Sequence, residues 1–216
     1  MIRAMTAQAR AEAADRVPGV DSLVSVDVLA VRLADGEVRF AAVRRQTEPF
    51  AGEWALPGVL LLEGERLIEA GQRALRDKAG LVATELGQLI VFDEPLRDPR
   101  GATLSAAMWA VPTGDPAGVE WRPVDDPADL AFDHHTIVTS CRPILARMLW
   151  NDFCFTKSLM GVEFSVGDAI GATVSLTGAM PDRGNLNKKL ASLPGLERAG
   201  YGTGRGRPSR WRWADG

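Results

Sequence analysis

From Ser22 to Leu33 the chain is dominated by β-branched residues at Val24, Val26, Val28 and Val31, and a second apolar run extends from Val38 to Val43. Between them lies Ala-Asp-Gly-Glu at 34–37, and two apolar runs around an Asp-Gly pair predict a hairpin. A Pro- and Gly-rich connection follows over 48–58. Leu67, Ile68, Gly71, Ala74 and Leu75 then recur at helical spacing, with Gly80 placed as the stop. Strand-like runs return at Gln88 to Phe92, Thr103 to Val111 and Val119 to Pro123. The first 130 residues therefore read as a mixed α/β sandwich.

After them the period is helical again. Ile137, Val138, Cys141, Ile144, Leu145, Met148 and Leu149 hold a 3.6-residue phase, with Asp133 as the N-cap. Pro143 falls off the apolar stripe but inside the helix, where it removes a backbone hydrogen bond and predicts a kink or a late start. This helix is expected to join two domains. Ser165 with Asp168 forms a shortened capping box opening a helix through Ala172, and Asp182 caps another. In that last helix Leu186, Leu190 and Leu193 face inward, leaving Arg183, Asn185, Asn187 and Lys188 outward, and Pro194-Gly195 ends it. Leu196 to Tyr201, a Gly-Arg loop and Ser209 to Trp213 complete the order helix, turn, helix, hairpin of a winged helix-turn-helix. The expected division is a mobile arm at 1–20, a ligand-sensing domain at 21–132, a joining helix at 133–150 and a DNA-binding domain at 151–216.

Composition narrows the class. With 216 residues, 46% hydrophobic and 25% charged, the chain has material for one average domain and a small one. No apolar run approaches the ~18 residues of a membrane span, and a cytoplasmic location is expected. Two cysteines thirteen apart, Cys141 and Cys154, and two adjacent histidines, His134 and His135, are too few for a structural zinc site. The formal net charge of -3 hides an asymmetry, because from Arg183 onward eight basic residues stand against two acidic ones. A basic end on an acidic body points to a polyanion partner for that end.

The segment WALPGVLLLEGERLIEAGQRALRDKAGL, from Trp54 to Leu81, resembles the Nudix box, with register fixed by Glu65, Arg73, Leu75, Gly80 and Leu81. The resemblance implies three helix glutamates that hold magnesium and activate water against a diphosphate bond. Ala74, Asp77 and Lys78 occupy those places here, and Val59 stands at the box glycine. A cation on that helical face repels a divalent ion, so neither a metal site nor a catalytic residue is expected, and no cofactor. A Nudix scaffold without its metal can still bind a nucleotide. Recognition of a diphosphate needs fork-shaped cationic donors, and the candidates are Arg44 and Arg45 at a strand end and Arg97 and Arg100 in the RDPRG loop. Gln46 can serve polar ligand groups, and Trp54 can stack on a base or lie in the core. Arg73 joins this set, although it and Glu65 can equally serve only to stabilise loop and helix. His134 is either part of a helix cap or a contact by which LAFDH, residues 130–134, reports ligand state to the joining helix.

A degenerate Nudix domain followed by a basic winged helix resembles the NrtR family of Nudix-related regulators of NAD metabolism. VRRQTEPFAGEWALPG, RDPRG, LAFDH, DRGNLNKKL and GRGRPSRWRW carry the resemblance. It implies an α+β chain, a Nudix-like α/β/α sandwich followed by a winged helix-turn-helix. In function it implies a homodimeric repressor that binds a palindromic operator at NAD biosynthesis or salvage genes and responds to ADP-ribose. The DNA end can be read separately. Arg183 suits guanine, Asn185 and Asn187 suit adenine, and Lys188 and Lys189 reach phosphates. Arg205 and Arg207, flanked by glycine, suit a narrow minor groove. Arg210 and Arg212 alternate with Trp211 and Trp213, which puts the arginines toward solvent or phosphate. Two alternatives stay open: a divergent Nudix pyrophosphatase acting on ADP-ribose or nucleotide sugars, and a regulator of this architecture that senses a sugar.

Overall fold

The computed structural model describes residues 22–201 and 209–214. The expected arm at 1–20 lies outside them. Strands β1 (Leu23–Ala34) and β2 (Glu37–Arg44) form the predicted hairpin, closing at Ala34 opposite Glu37. Asp35 and Gly36 both have positive φ, 52° and 77°, the turn that Asp-Gly supports and that matches the twist of the strands.

Strand β1 is the spine of the sheet. Its outer half pairs with β2, while its first half pairs in parallel with β6 (Thr103–Ala110) and antiparallel with the short β4 (Gly58–Leu60). Strand β2 also carries β3 (Trp54–Ala55) and β7 (Val119–Pro123), and β5 (Leu86–Phe92) closes the far edge against β6. Strands β3 and β4 lie in the Pro- and Gly-rich connection and are too short to leave an alternating signature.

Helix α1 (Leu67–Ala74) lies on one face of this sheet, burying Ala70, Gly71 and Ala74 over Val26, Val28 and Met108. A side chain at Gly71 would sit 2.8 Å from Leu86, so small residues set how closely helix and sheet approach. The chain continues as a wider π turn over Leu75–Ala79 and stops at Gly80, as the sequence predicts.

Helix α2 (His134–Met148) takes the opposite face, with Ile137, Val138, Cys141 and Leu145 buried against Leu29, Phe40 and Trp109. It starts at His134 rather than late and runs continuously through Pro143. Asp133 does stand at its N-cap position, but its carboxylate makes no cap bond because Arg97 takes it.

The C-terminal elements follow the predicted order with two additions. Helix α4 (Val166–Thr177) has the predicted capping box, Ser165 accepting from the Asp168 N–H, but runs past Ala172 to Gly178. Helix α5 (Arg183–Ala191) is capped by Asp182, and β9 (Leu196–Tyr201) pairs with β10 (Ser209–Trp213). The additions are helix α3 (Phe153–Met160) and strand β8 (Glu163–Ser165), and β8 joins β10 to make a three-stranded sheet. These elements do not stand apart from the sandwich. Phe155, Phe164, Leu190 and Trp211 share one buried cluster with Leu29, Phe40 and Trp109, and the Trp109 and Phe155 rings meet edge to face at 5.2 Å. Among the described residues no helix is long and apolar enough to cross a membrane.

Candidate ligand-binding site

The box helix begins with an ion pair. Arg73 grips Glu65 with Nε and Nη2, each at 2.7 Å, while Nη2 also reaches the Leu60 carbonyl and the Leu62 N–H donates to Glu65. The Arg73 hydrogen bonds, with that of Leu62, hold the Glu65 carboxyl down at about 2. Arg73, expected among the ligand contacts, is thus committed to fixing the loop before α1, a consequence of its planar fork meeting a carboxylate.

The remaining box positions do not suit a divalent cation. Ala74 is fully buried in the sheet interface, Asp77 pairs with Arg76 at 3.1 Å, and Lys78 is an exposed amine. Among the described residues no three acidic, histidine or cysteine side chains gather as a metal site. Beside Val59, at the box glycine position, Gly58 makes the close approach to β1. A side chain there would come within 2.1 Å of Asp27 Oδ1.

Asp27 is the centre of a buried polar network. Ser25 and Ser105 hydroxyls donate to its Oδ2 at 2.8 and 2.6 Å, His134 Nε2 stands 3.5 Å from Oδ1, and Arg97 Nη2 stands 3.7 Å from Oδ2. Burial pushes the Asp27 carboxyl up, but the electrostatic pull and hydrogen bond of His134, with the Ser105 and Ser25 hydroxyls, outweigh it and hold it at about 2. The Leu56 N–H donates to His134 Nδ1 at 2.9 Å, which turns Nε2–H toward Asp27. Arg97 makes a bidentate pair with Asp133 at 2.9 and 2.7 Å.

Both residues correct the sequence reading. Arg97 was expected to face a ligand, and His134 either to do so or to serve the helix cap, yet they are only 8% and 3% exposed and are consumed in joining β1, the 93–101 loop and the start of α2. Asp27 went unnoticed, although a lone acid inside an apolar strand was signal enough.

The remaining candidates gather on two aromatic rings. The 47–52 loop folds back on the end of β2, and Arg45 exchanges backbone hydrogen bonds with Gly52 and Glu53. Arg44 Nη1 donates to the Gly52 carbonyl at 2.5 Å and its guanidinium lies 4.2 Å from the Trp54 ring, which also carries Arg122 at 5.1 Å. Arg45 donates to the Pro49 and Thr47 carbonyls and stacks at 4.5 Å on Phe132, with Arg100 at 5.5 Å from the same ring. Arg100 is charge-matched by Asp98, its Nη2 at 2.6 Å. Burial, and next to it the charge of Arg100, lower the affinity of Arg45 for its proton. Gln46 is exposed and donates to the Arg44 carbonyl. Four guanidiniums therefore stand on two aromatic rings, and neither Arg44 nor Arg45 spends its hydrogen bonds on a carboxylate. Base stacking on Trp54 requires one of its guanidiniums to move aside. Arg122 was missed because it comes from β7, far from the box, and Phe132 entered the sequence reading only within LAFDH.

On the other unit, Arg183, Asn185, Lys188 and Lys189 are exposed on α5. Asn187 donates to the Arg183 carbonyl at 2.8 Å, and Lys189 Nζ reaches Asn151 at 3.0 Å. Trp211 and Trp213 are buried as predicted, but Arg210 and Arg212 are not free for phosphate, because both grip Glu163 of β8. The strand-to-strand register that brings Glu163 opposite Arg212 explains the difference. Arg205 and Arg207 lie outside the described residues.

These features define a class: a Nudix-like sheet and helix, with two of its three metal-binding carboxylate positions lost, packed against a helical unit that presents a basic helix. No family model matches the chain. It is 33% identical over 103 residues to the ADP-ribose pyrophosphatase of Methanocaldococcus jannaschii, covering 44% of this chain and 61% of that one. It is 27% identical over 128 residues to the ADPR responsive transcriptional repressor NtrR of Acinetobacter baylyi, covering 54% of this chain and 51% of that one. The matched stretches thus span between half and two thirds of those relatives. Shewanella oneidensis NrtR, solved with a 27mer DNA, superimposes with a TM-score of 0.73 at 23% identity over 88% of this chain and 92% of that one. The NUDIX domain of the same protein, solved with ADP ribose, gives a TM-score of 0.53 at 27% identity over 63% of this chain and 97% of that domain. The resemblance to the NrtR family drawn from the motifs is borne out.

Proposed function

We propose that the chain is a DNA-binding repressor whose Nudix-like part binds ADP-ribose or a related nucleotide and modulates operator binding at NAD biosynthesis or salvage genes. In this reading residues 151–216 form a winged helix-turn-helix, since the order α3, β8, α4, α5, β9, β10 is that of the motif, and α5 is its recognition helix. One observation carries the ligand half: Arg44 and Arg45 are held on Trp54 and Phe132 without a carboxylate partner, while two of the three box carboxylates are lost and the third is shortened to Asp77. Fork-shaped cations on aromatic faces suit a diphosphate between two sugars. A palindromic operator and a homodimer belong to the same reading, because one recognition helix offers too little specific contact.

Titration calorimetry with ADP-ribose tests this directly. Arg45→Ala is expected to weaken binding about tenfold or more, as expected for loss of a charge-assisted contact worth ~1.5–3 kcal/mol. ADP-ribose producing no heat with the wild-type chain would end the proposal for that ligand, and a pentose that does bind would favour the sugar-sensing variant.

At the other end, Lys188→Ala is expected to lower the dependence of log affinity on log salt by about 0.9, one phosphate contact. An unchanged slope in electrophoretic titrations across salt concentrations would remove α5 from the backbone contact.

A hydrolase is the second reading, favoured by the 33% identity to an archaeal ADP-ribose pyrophosphatase. Magnesium-dependent release of AMP from ADP-ribose that disappears in Asp77→Ala would establish it.

A further inference from the structure

Phe132 was not among the predicted ligand residues, yet more of the site passes through it than through any residue of the box. Its backbone is in the left-handed region, φ 57°, which an aromatic residue adopts only when its surroundings impose it. Phe50, also at positive φ, 67°, meets the Phe132 ring edge to face at 4.8 Å. The ring lies under both Arg45 and Arg100, at 4.5 and 5.5 Å, and 5.4 Å from the His134 ring.

The residues on either side are anchored to different parts of the molecule. The Ala131 N–H donates to the Trp54 carbonyl at 2.7 Å, Asp133 holds Arg97, and His134, the first residue of α2, accepts from Leu56. A displacement of the Phe132 ring is therefore transmitted within two residues to the start of α2. That helix runs through to Met148 and packs in the same buried cluster as the C-terminal elements.

We infer that Phe132 is a positioning residue: it holds Arg45, with the Asp98-paired Arg100 on the same ring, for an anionic ligand and passes the movement of these arginines on binding to α2. An anion drawn between two guanidiniums that share one ring cannot pull on either without changing its stacking on that ring. Asp133 and His134, tied to Arg97 and Leu56, couple the Phe132 peptide directly to the first turn of α2. This rests on the reading of ADP-ribose as the ligand and goes beyond it by naming the link between ligand and DNA-binding unit.

The test uses the full chain and an operator selected from random duplexes. Two quantities are measured: ADP-ribose affinity, and the ratio of operator affinities without and with saturating ADP-ribose. Phe132→Leu keeps an apolar side chain but removes the π face. Loss of two cation–π contacts is expected to weaken ADP-ribose about tenfold or more and to bring the operator ratio close to one even at saturation. Phe132→Tyr, which keeps the face, is expected to restore both. Phe132→Gly serves if the leucine variant does not fold, since glycine adopts the left-handed backbone without strain; it is expected to behave as the leucine variant does.

Wild-type affinity in Phe132→Leu or Phe132→Gly, or a full operator ratio once either is saturated, would overturn the inference. So would a Phe132→Tyr variant as impaired as the leucine one. A wild-type chain that fails to bind ADP-ribose would instead overturn the ligand assignment.

Discussion

Asp27→Ala is expected to destabilise the chain by about 3–5 kcal/mol, the usual consequence of removing one partner from a buried charged network. The magnitude follows from what is left behind. Without the carboxylate, the Ser105 hydroxyl loses its acceptor, Ser25 keeps only the Leu104 carbonyl, His134 Nε2 faces a void, and Arg97 keeps Asp133 and a long bond to Ser25, all away from water. Asp27→Asn keeps the shape and separates charge from packing. The folded carboxyl is held at about 2, below the ~3.9 of an unfolded aspartate. The advantage of aspartate over asparagine is thus complete above about pH 4 and disappears as pH falls toward 2. Urea denaturation of the wild type and both variants from neutral pH downward measures this. A stability difference between the wild type and Asp27→Asn that does not narrow in acid would show that the carboxylate charge is not what the network stabilises.

Gly171→Ala is the second. By intrinsic helix propensity this substitution in the interior of α4 should stabilise by about 0.5–1 kcal/mol. Tertiary packing reverses the sign. The new methyl would stand 1.9 Å from the carbonyl oxygen of Gly36, in the turn between β1 and β2, and that atom is backbone, not the movable end of a side chain. The same junction is closed by the Val38 N–H donating to Ser175 Oγ at 3.1 Å and by Arg142 Nε donating to the Ser175 carbonyl at 2.7 Å. Helix α4 must withdraw from the hairpin, and overpacking of this kind costs ~1–3 kcal/mol. Calorimetry is expected to show a lower unfolding temperature, with protease cleavage between α2 and α4 increased. A variant as stable as the wild type, or more so, would mean that the contact between hairpin and helix gives way without cost.

The two effects share a feature with the site. Each depends on residues that are distant in sequence meeting at a surface fixed by the whole fold: Asp27 with Ser105 and His134, Gly171 with Gly36, Arg45 with Arg100 and Phe132. Local signals predicted the pieces well. Asp-Gly set the first turn, Ser165 with Asp168 and Asp182 capped α4 and α5, and the alternation of Trp211 and Trp213 with arginines told which face of β10 is buried. The failures are of another kind. Arg97 and Arg210 read as cations in search of an anion, but Asp133 and Glu163 are already placed to receive them. Only the fold brings Asp133 and Glu163 across intervals of 36 and 47 residues to those arginines.

What the sequence determined by itself was most of the longer elements and the loss of two of the three box carboxylates, because periodicity, turns, caps and residue chemistry act over a few neighbouring positions. Which arginines remain free to bind was decided by the tertiary structure. A guanidinium is available only after the nearest carboxylate has been assigned, and that assignment follows from strand register and loop packing rather than from spacing along the chain.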